Sequence, residues 1–293
     1  MTHLAIPKTY KLYVAGKFLR SESGRTYQVQ GPEGVANAAL ASRKDARDAV
    51  VAARAGSRTW AKATAYNRGQ VIYRIAEMLE GRRAEFVEVL VATRGVPAAV
   101  AQQEVAATVD RLVHYAGWTD KLAAVFGSAN PVSAPFFSYT APEPTGVVAV
   151  LAPTDAPLLG LVSVLAPVMA SGNACVLVAA QADACVAVTV AEVLATSDVP
   201  AGVVNLLTGR SAELAPHLAA HADVNALDLT GAEPEQRVAL QQAAAQTVKR
   251  VYVPPGRPDF TAPPGTARLR AYLEMKTVWH PTGALSLAGG TSY

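Results

Sequence analysis

The stretch that decides the fold opens with the apolar run VVAVL at residues 147–151, which an apolar helical pattern follows at 157–170. The same alternation continues to residue 253. Further strand-like runs lie at 174–178, 203–207, 226–229 and 248–253, separated by helical patterns at 184–196, 212–221 and 235–247. Short, wholly apolar strands that alternate with helices are typical of a parallel sheet covered on both faces. The sequence therefore predicts an α/β fold with a Rossmann-like, doubly wound parallel sheet over residues 147–254.

Residues 1–130 precede this core and are predicted to be mostly helical. After short strand-like segments that begin near Tyr10–Val14, apolar residues recur at helical spacing. The predicted helices cover 43–57, 66–80, 82–93 and 97–124. We expect this helical part to pack on the Rossmann-like domain.

Two segments outside the sheet differ in character from the rest. Residues 131–146 combine aromatic side chains with prolines, which indicates an extended arm or hairpin. Residues 255–266 are rich in proline and glycine, which favours an extended connector over packed structure. The run Leu269–Trp279 predicts a last strand, and the small, polar tail after Gly283 is expected to fray.

Composition excludes several classes of protein. Hydrophobic residues make up 51% and charged residues 17%, which does not suit a disordered chain. A net charge of +3, with scattered Lys and Arg, argues against a nucleic-acid partner. No apolar stretch reaches membrane-spanning length, and Met1–Thr9 lacks the apolar core of a signal peptide. Two cysteines, Cys175 and Cys185, form neither a disulfide framework nor a metal cluster, so the cytoplasm is the expected compartment.

The loops after the parallel strands are where a sheet of this kind binds ligands. They contain no GxGxxG or Walker A motif. Thr208-Gly209 and Thr230-Gly231 could bring backbone near a phosphate, but ordinary turns are the favoured interpretation. Asp155 could act as an acid or base, although an Asp shortly before a helix more often serves as its N-cap.

The remaining reactive side chains carry weaker signals. Cys175 sits inside an apolar run and is predicted to be a small core residue. Cys185 begins a helix, where a thiol pKa can fall, but without a nearby His a passive role is favoured. His217 and His221 could share one helix face, yet the sequence offers no third ligand, so no metal site is predicted.

Motifs spread over about 250 residues resemble the aldehyde dehydrogenase superfamily. In chain order they are Ala15-Gly16-Lys17-Phe18, Asp48–Ala53 with Trp60 and Arg68, His114–Trp118 (YxAGW), Glu143–Val148 (EPxGVV), Ser171–Ala174 (AGN), Pro200–Asn205 (PxGVVN) and Leu229-Thr230-Gly231 (FTGS). Each motif is modest alone, but together and in order they are a strong signal. The resemblance implies a fold related to the nucleotide-binding half of these enzymes.

The family's functional positions are altered here. The oxyanion-holding Asn corresponds to Asp155, whose carboxylate would repel a developing negative charge, and the Trp before it to Thr154. The general-base Glu corresponds to Pro254. The resemblance implies that cofactor contacts are lost as well. Val178 replaces a Lys that bonds the cofactor ribose, and Gln181 replaces a Glu that contacts the cofactor. Gln236 replaces the Gly that follows the Thr230-Gly231 turn. The resemblance therefore implies no catalytic residues, and none of Thr154, Val178, Gln181, Gly231 and Gln236 is expected to hold a cofactor.

Length is the largest departure. The family carries its nucleophilic Cys in a separate domain after the general base, and this chain has no Cys beyond Cys185. Glu274–Trp279 nevertheless is similar to the family's C-terminal oligomerisation strand. The resemblance thus implies an internal deletion of the catalytic domain, with 131–146 and 267–283 forming a small β oligomerisation arm. Its expected interface residues are Phe136, Phe137, Tyr139, Tyr272, Val278 and Trp279.

These features predict a non-catalytic subunit that associates with a full-length, active NAD(P)-dependent aldehyde dehydrogenase and supports or regulates it. Homodimerisation is a second arrangement, and neither a nucleic acid nor a membrane is an expected partner. Two alternatives are kept: a nucleotide-binding module, and an oxidoreductase of the same superfamily with residual activity. No cofactor is expected under the first hypothesis, whereas the alternatives would bind NAD(P).

Overall fold

The computed structural model describes residues 8–32 and 34–282. Its strands are β1 (Thr9–Tyr10), β2 (Leu12–Val14), β3 (Lys17–Leu19), β4 (Thr26–Gly31), β5 (Gly34–Ala39), β6 (Ser128–Asn130), β7 (Phe136–Pro144), β8 (Val147–Leu151), β9 (Ala174–Val178), β10 (Val204–Leu207), β11 (Ala226–Asp228), β12 (Arg250–Tyr252) and β13 (Leu273–Pro281). Its helices are α1 (Arg43–Lys62), α2 (Ala65–Gly81), α3 (Arg83–Arg94), α4 (Ala98–Ala116), α5 (Leu122–Phe126), α6 (Leu159–Ala170), α7 (Ala184–Ala195), α8 (Ser211–Ala220), α9 (Pro234–Ala245) and α10 (Ala267–Ala271). The predicted fraying after Gly283, and most of the Met1–Thr9 segment, lie outside the described residues.

The central sheet has seven strands in the order β12-β11-β8-β9-β10-β2-β3. The five strands from β12 to β10 are parallel, as predicted. The expectation of a wholly parallel sheet is wrong at one edge, where the hairpin β2–β3 adds two antiparallel strands. Ala15 and Gly16, both with positive φ, form the tight turn, and Asn205 Oδ1 accepts from the Ala15 N–H at 3.0 Å.

Apolar side chains of the sheet alternate between two cores. On β8, Val148 and Val150 face the helices α2, α4, α6 and α7, whereas Val147, Ala149 and Leu151 face α1, α8 and α9. Helix α6 is buried along its whole length because it lies between the sheet and the helices α2 and α4. The predicted doubly wound α/β architecture is confirmed.

The long helix predicted for residues 97–124 is wrong in its second half. Helix α4 ends at Ala116, and the separate short helix α5 begins at Leu122. Gly117 supports helical structure poorly, and the Thr119 hydroxyl donates to the freed Ala116 carbonyl at 2.9 Å. The chain turns there and leads into β6.

A second, three-stranded sheet has the order β13-β7-β6. Strands β7 and β13 are antiparallel and pair over nine residues, from Phe136 opposite Pro281 to Pro144 opposite Leu273. The run Leu269–Trp279 is therefore only partly a strand, because its first residues complete helix α10. That helix forms because Leu269 and its neighbour Arg268 are buried against the central domain. A third sheet, β1-β5-β4, lies near the N-terminus.

The connector 255–266 has no helix or strand, yet it is packed rather than free. Phe260 is buried, and Arg111 of α4 donates to the carbonyl oxygens of Phe260 at 2.7 Å and Ala262 at 3.0 Å. The expectation of an unpacked connector is therefore wrong. Within the described ranges, no helix has both the length and the apolar surface that a bilayer crossing requires.

Candidate functional site at the carboxyl edge of the sheet

The sheet has its topological switch point between β8 and β11. From β8 the chain winds outward through β9 and β10, then crosses back to β11 and β12. Ligands of such sheets bind in the crevice outside this point. Here the loop after β11 closes directly on the loop after β8: the Gly231 N–H donates to the Leu151 carbonyl at 2.9 Å, and a side chain at Gly231 would collide with the Ala152 carbonyl. Only glycine permits this close approach of two backbones.

Asp155, in the loop after β8, does not cap helix α6 as predicted. Its carboxylate is held by Arg257, which donates from Nε at 2.8 Å and Nη2 at 2.6 Å. The first N–H groups of the helix, those of Leu158 and Leu159, instead donate to Glu104 Oε1 at 2.8 and 3.1 Å. A carboxylate from a different helix, α4, thus acts as the N-cap of α6, and Asp155 pairs with Arg257 instead.

The pairing determines the charge at this position. The hydrogen bond from Arg257 holds the pKa of Asp155 below its ordinary value, so the carboxyl is ionised near neutral pH. An ionised carboxylate only accepts hydrogen bonds, and it repels rather than stabilises an oxyanion. Pro254, which was predicted to correspond to the family's general base, is buried after β12 and has no acidic group.

The loops after β8 and β9 are tied together by a second ion pair. Arg94, at the end of α3, donates to both carboxylate oxygens of Asp183 at 2.6 Å and to the Thr154 carbonyl at 2.9 Å. The Asp183 side chain is 2% exposed, and burial raises its pKa although Arg94 opposes the rise. Thr154 is exposed, and its backbone rather than its hydroxyl makes the contact.

Three residues were predicted to correspond to cofactor contacts of the family. Val178 is 1% exposed and packs in the core on the α1 and α8 side of the sheet, so it presents no donor to a ribose. Gln181 is exposed, and its backbone carbonyl accepts from the Tyr27 hydroxyl at 3.0 Å. Gln236 lies half-buried in the first turn of α9. These residues do not fit NAD(P) in the family's manner.

The two Thr-Gly pairs act as structural turns, in agreement with the favoured interpretation. The buried Thr208 hydroxyl donates to the Ala39 carbonyl at 2.6 Å, and Gly209, at φ 144°, lies against Ala41. Thr230 donates from its N–H to Asp228 Oδ1 at 2.9 Å. Neither pair directs a free row of N–H groups at the crevice.

The two cysteines are buried, and two of the histidines lie at or near the end of α8. Cys175 and Cys185 are both buried, and burial raises the pKa of each thiol, which agrees with the passive roles predicted for them. His217 lies on α8 and His221 ends it, where its Nδ1 accepts from the Asp223 N–H at 3.2 Å. In the described part of the chain, no cluster of side chains suitable for a metal ion is found.

Asp228, at the end of β11, is the centre of a buried polar cluster that the sequence did not reveal. It is 0% exposed and accepts from the Arg268 guanidinium, the Tyr272 hydroxyl and Thr230. The Arg268 guanidinium also lies over the Tyr252 ring, 4.4 Å from its centroid. Tyr272 is 0% exposed, so its predicted place in an interface is wrong: it anchors the C-terminal segment to the central sheet.

The sheet β13-β7-β6 exposes aromatic side chains. Phe136 is 39%, Phe137 51% and Trp279 56% exposed, while Tyr139 and Val278 are half-buried. Phe136 and Trp279 contact each other edge to face at a centroid distance of 5.9 Å. Within the residues that the structure describes, the outer edge of β13 has no strand beside it.

Comparison with known proteins identifies the family. The sequence model of the aldehyde dehydrogenase family matches residues 18–256. The chain belongs to the aldehyde dehydrogenase family. It is 28% identical over 253 residues to D-glyceraldehyde dehydrogenase (NADP(+)) of Thermoplasma acidophilum, covering 85% of this chain and 51% of that protein. It is 30% identical over 258 residues to cytosolic aldehyde dehydrogenase 1 of Elephantulus edwardii, covering 86% and 51%.

Solved structures of the family give the same result. HpcC of Thermus thermophilus superposes with a TM-score of 0.77 at 29% identity, covering 83% of this chain and 47% of that one. The chain spans about half the length of the curated aldehyde dehydrogenase relatives it matches. The matching half is their N-terminal, NAD-binding portion, and the catalytic domain is not among the 293 residues. The resemblance to the aldehyde dehydrogenase family is confirmed.

Several residues that define this edge of the sheet could not be chosen from the sequence. Arg257 lies 102 positions from Asp155 and Arg94 lies 89 positions from Asp183, so no local spacing indicated either pair. Glu104 gave no capping signal because it belongs to another helix. Charge complementarity between distant loops becomes visible only when the chain is folded.

Proposed function

We propose that this chain is a non-catalytic aldehyde dehydrogenase subunit that associates with an active, NAD(P)-dependent member of the family and supports or regulates it. The observation that carries the proposal is the sheet β13-β7-β6, with its open edge and exposed aromatic side chains. The state of the positions that correspond to catalytic residues supports it.

The chemistry that these positions offer does not suit aldehyde oxidation. Asp155 is an ion-paired carboxylate where an amide donor would be needed, and Pro254 supplies no base. The only thiols of the chain, Cys175 and Cys185, are at most 1% exposed, and burial keeps them protonated. A buried thiol is a poor nucleophile because the thiolate is the attacking form. We infer that the chain alone does not turn over aldehydes.

The three-stranded sheet is suited to docking. An unpaired strand edge presents N–H and C=O groups that pair readily with a strand of another chain. Aromatic side chains, which are enriched in interfaces, flank this edge on both faces. By resemblance to the family, the receptor for such a sheet is the catalytic domain of a neighbouring subunit. Two copies of this chain would each offer the sheet without the receptor, so a full-length relative is the preferred partner over a homodimer.

The alternatives make a different prediction for cofactor binding. A nucleotide-binding module or a residual oxidoreductase would be stabilised by NAD or NADP through mass action. Because Val178 is buried in the core and, by resemblance, Gln236 replaces a glycine of the family, we expect no increase in Tm at millimolar NAD or NADP. We place the protein in the cytoplasm, where free cysteines persist.

The experiment is affinity capture of the tagged full chain from an extract of its own host, followed by mass spectrometry. We expect an intact aldehyde dehydrogenase in stoichiometric amount. The purified pair is then tested with Trp279→Asp and Phe137→Asp, which place a charge on the docking surface and should abolish the complex. Tyr66→Asp is the matched control, since Tyr66 is an aromatic residue on α2 that is 70% exposed.

Recovery of the chain alone, as a monomer or a self-dimer, would refute the proposal. So would a complex that Tyr66→Asp weakens as much as Trp279→Asp does. If NAD raises the Tm, the nucleotide-binding alternative replaces the subunit hypothesis.

A further inference from the structure

A cavity of about 240 Å³ lies beyond the carboxyl end of β12, between α4, α6 and the proline-rich connector. Its polar lining consists of three arginines, one aspartate, one serine and two tyrosines: Arg111, Arg257, Arg268, Asp259, Ser163, Tyr115 and Tyr252. Prolines of the connector and the ring of Phe260 form much of the remainder. The cavity adjoins the switch-point crevice through Arg257 and Pro254. It contains no residue of the three-stranded sheet, so an assignment here is independent of the docking surface on which the proposed subunit function rests.

Arg111 is a buried cation whose hydrogen-bond partners are all neutral. The residue is 8% exposed, and its guanidinium donates to Ser163 Oγ at 2.8 Å and to the carbonyl oxygens of Phe260 and Ala262. A buried charge without a counter-ion is costly, and proteins ordinarily pair it. Arg111 therefore lacks the anion that its environment calls for.

The other charged groups near the cavity already have partners. Arg268 pairs with Asp228, and Arg257 with Asp155. The Asp259 carboxylate accepts from the N–H and hydroxyl of Thr261 at 2.9 and 2.6 Å. Among the described residues no carboxylate lies within ion-pair distance of Arg111, so the unmatched charge of this cavity is one positive charge.

The arginines and tyrosines that line the cavity retain hydrogen-bond donors without a partner among the described residues. The hydrogen bonds of Arg111 use three of its five N–H groups, and those of Arg268 leave its Nε and Nη2 free among the described residues. The hydroxyls of Tyr115 and Tyr252 likewise have no partner in that part of the chain. All four of these residues line the cavity.

We propose that this cavity binds a small organic carboxylate, whose charged end is held by Arg111 and whose apolar part lies against the tyrosine and proline rings. A guanidinium matches the planar, two-oxygen geometry of a carboxylate. One unmatched positive charge suits a monoanion better than a phosphate dianion. The volume is below the range of about 300–1,000 Å³ that is usual for drug-sized ligands, so the ligand is small.

The test is a calorimetric titration of the full chain with benzoate, using benzamide as a neutral ligand of the same shape. We expect saturable one-to-one binding of benzoate and none of benzamide. Arg111→Met removes a charged donor and should weaken binding by about tenfold to 100-fold. Tyr252→Phe, which keeps the ring, should weaken it by about threefold to tenfold. Arg74→Gln is the control, because Arg74 forms an exposed ion pair on α2, and it should leave binding unchanged.

Absence of saturable benzoate binding to the folded chain would overturn the proposal, as would equal binding of benzamide. Inorganic phosphate that binds more tightly than benzoate would also overturn it, because the site would then be a general anion site. Should Arg111→Met disturb the connector, Tyr252→Phe and benzamide still decide the outcome. Unchanged affinity in both Tyr252→Phe and Arg111→Met would likewise overturn it, since Arg111 would then have a purely structural role.

Discussion

Arg268→Met is expected to destabilise the protein strongly, because it leaves the Asp228 carboxylate charged and buried without its cation. Asp228 is 0% exposed, and Arg268 is the cation that pairs with it. Removing one partner of a buried ion pair typically costs about 3–5 kcal/mol. Met preserves most of the apolar stem, so the change reports on the charge rather than on packing.

The surrounding contacts set the magnitude within that range. The Tyr272 hydroxyl and Thr230 still donate to the carboxylate, so Asp228 is not left wholly without hydrogen bonds. The cation–π contact with Tyr252 is lost as well, which adds about 0.5–2 kcal/mol. We therefore expect a loss of about 4 kcal/mol in the free energy of unfolding.

The measurement is urea denaturation of the full chain, with the free energy of unfolding obtained by linear extrapolation. The control is Glu274→Gln, because Glu274 pairs with Arg250 at the surface, where the two side chains are 51% and 40% exposed. An exposed pair contributes about 0.2–1 kcal/mol. Adding Asp228→Asn to Arg268→Met should recover part of the loss, since a neutral amide is less costly to bury than a carboxylate. A loss no larger than the control's, or a further loss in the double variant, would refute the reasoning.

Two further predictions concern the carboxyl edge of the sheet. Glu104→Ala should lower the free energy of unfolding by about 1 kcal/mol, which is the usual cost of a lost helix cap. The control Glu77→Ala, on the surface of α2, should change it little. Equal effects of the two substitutions in urea denaturation would contradict the capping role of Glu104. Arg94→Met should raise the already raised pKa of Asp183 further. When folding raises the pKa of a carboxyl, stability falls as the pH rises from the unfolded pKa of about 4 to the folded pKa. This fall should extend to higher pH in Arg94→Met than in the control Arg83→Met, which breaks an exposed ion pair. The measurement is the free energy of unfolding across about pH 4–8.

Sequence reasoning predicted this fold where the pattern was local. The wholly apolar runs of β8 and β9 determine strands buried on both faces, because no polar position along them could face solvent. It was less accurate where two local tendencies compete. Leu269–Trp279 was predicted to be one strand, but burial of Arg268 and Leu269 makes its first turn helical.

The candidate site was predicted only in part for a related reason. Residue identity alone shows which side chains are present, so the family's motifs led to the prediction that Asp155 replaces an amide and that Pro254 replaces an acid. The sequence did not indicate that Asp155 pairs with Arg257 instead of capping α6. The N–H groups at a helix N-terminus can donate to any suitably placed acceptor, and here that acceptor is Glu104.

By itself, then, the sequence determined the family and the alternation of strands and helices, since both follow from residue identity and short-range periodicity. Only the tertiary structure decided how the charges are matched. Asp228 pairs with Arg268 across 40 positions, whereas Arg111 is buried among neutral partners. Ion pairing depends on distances of a few ångströms and on the local exclusion of water, and both are set when remote segments pack together.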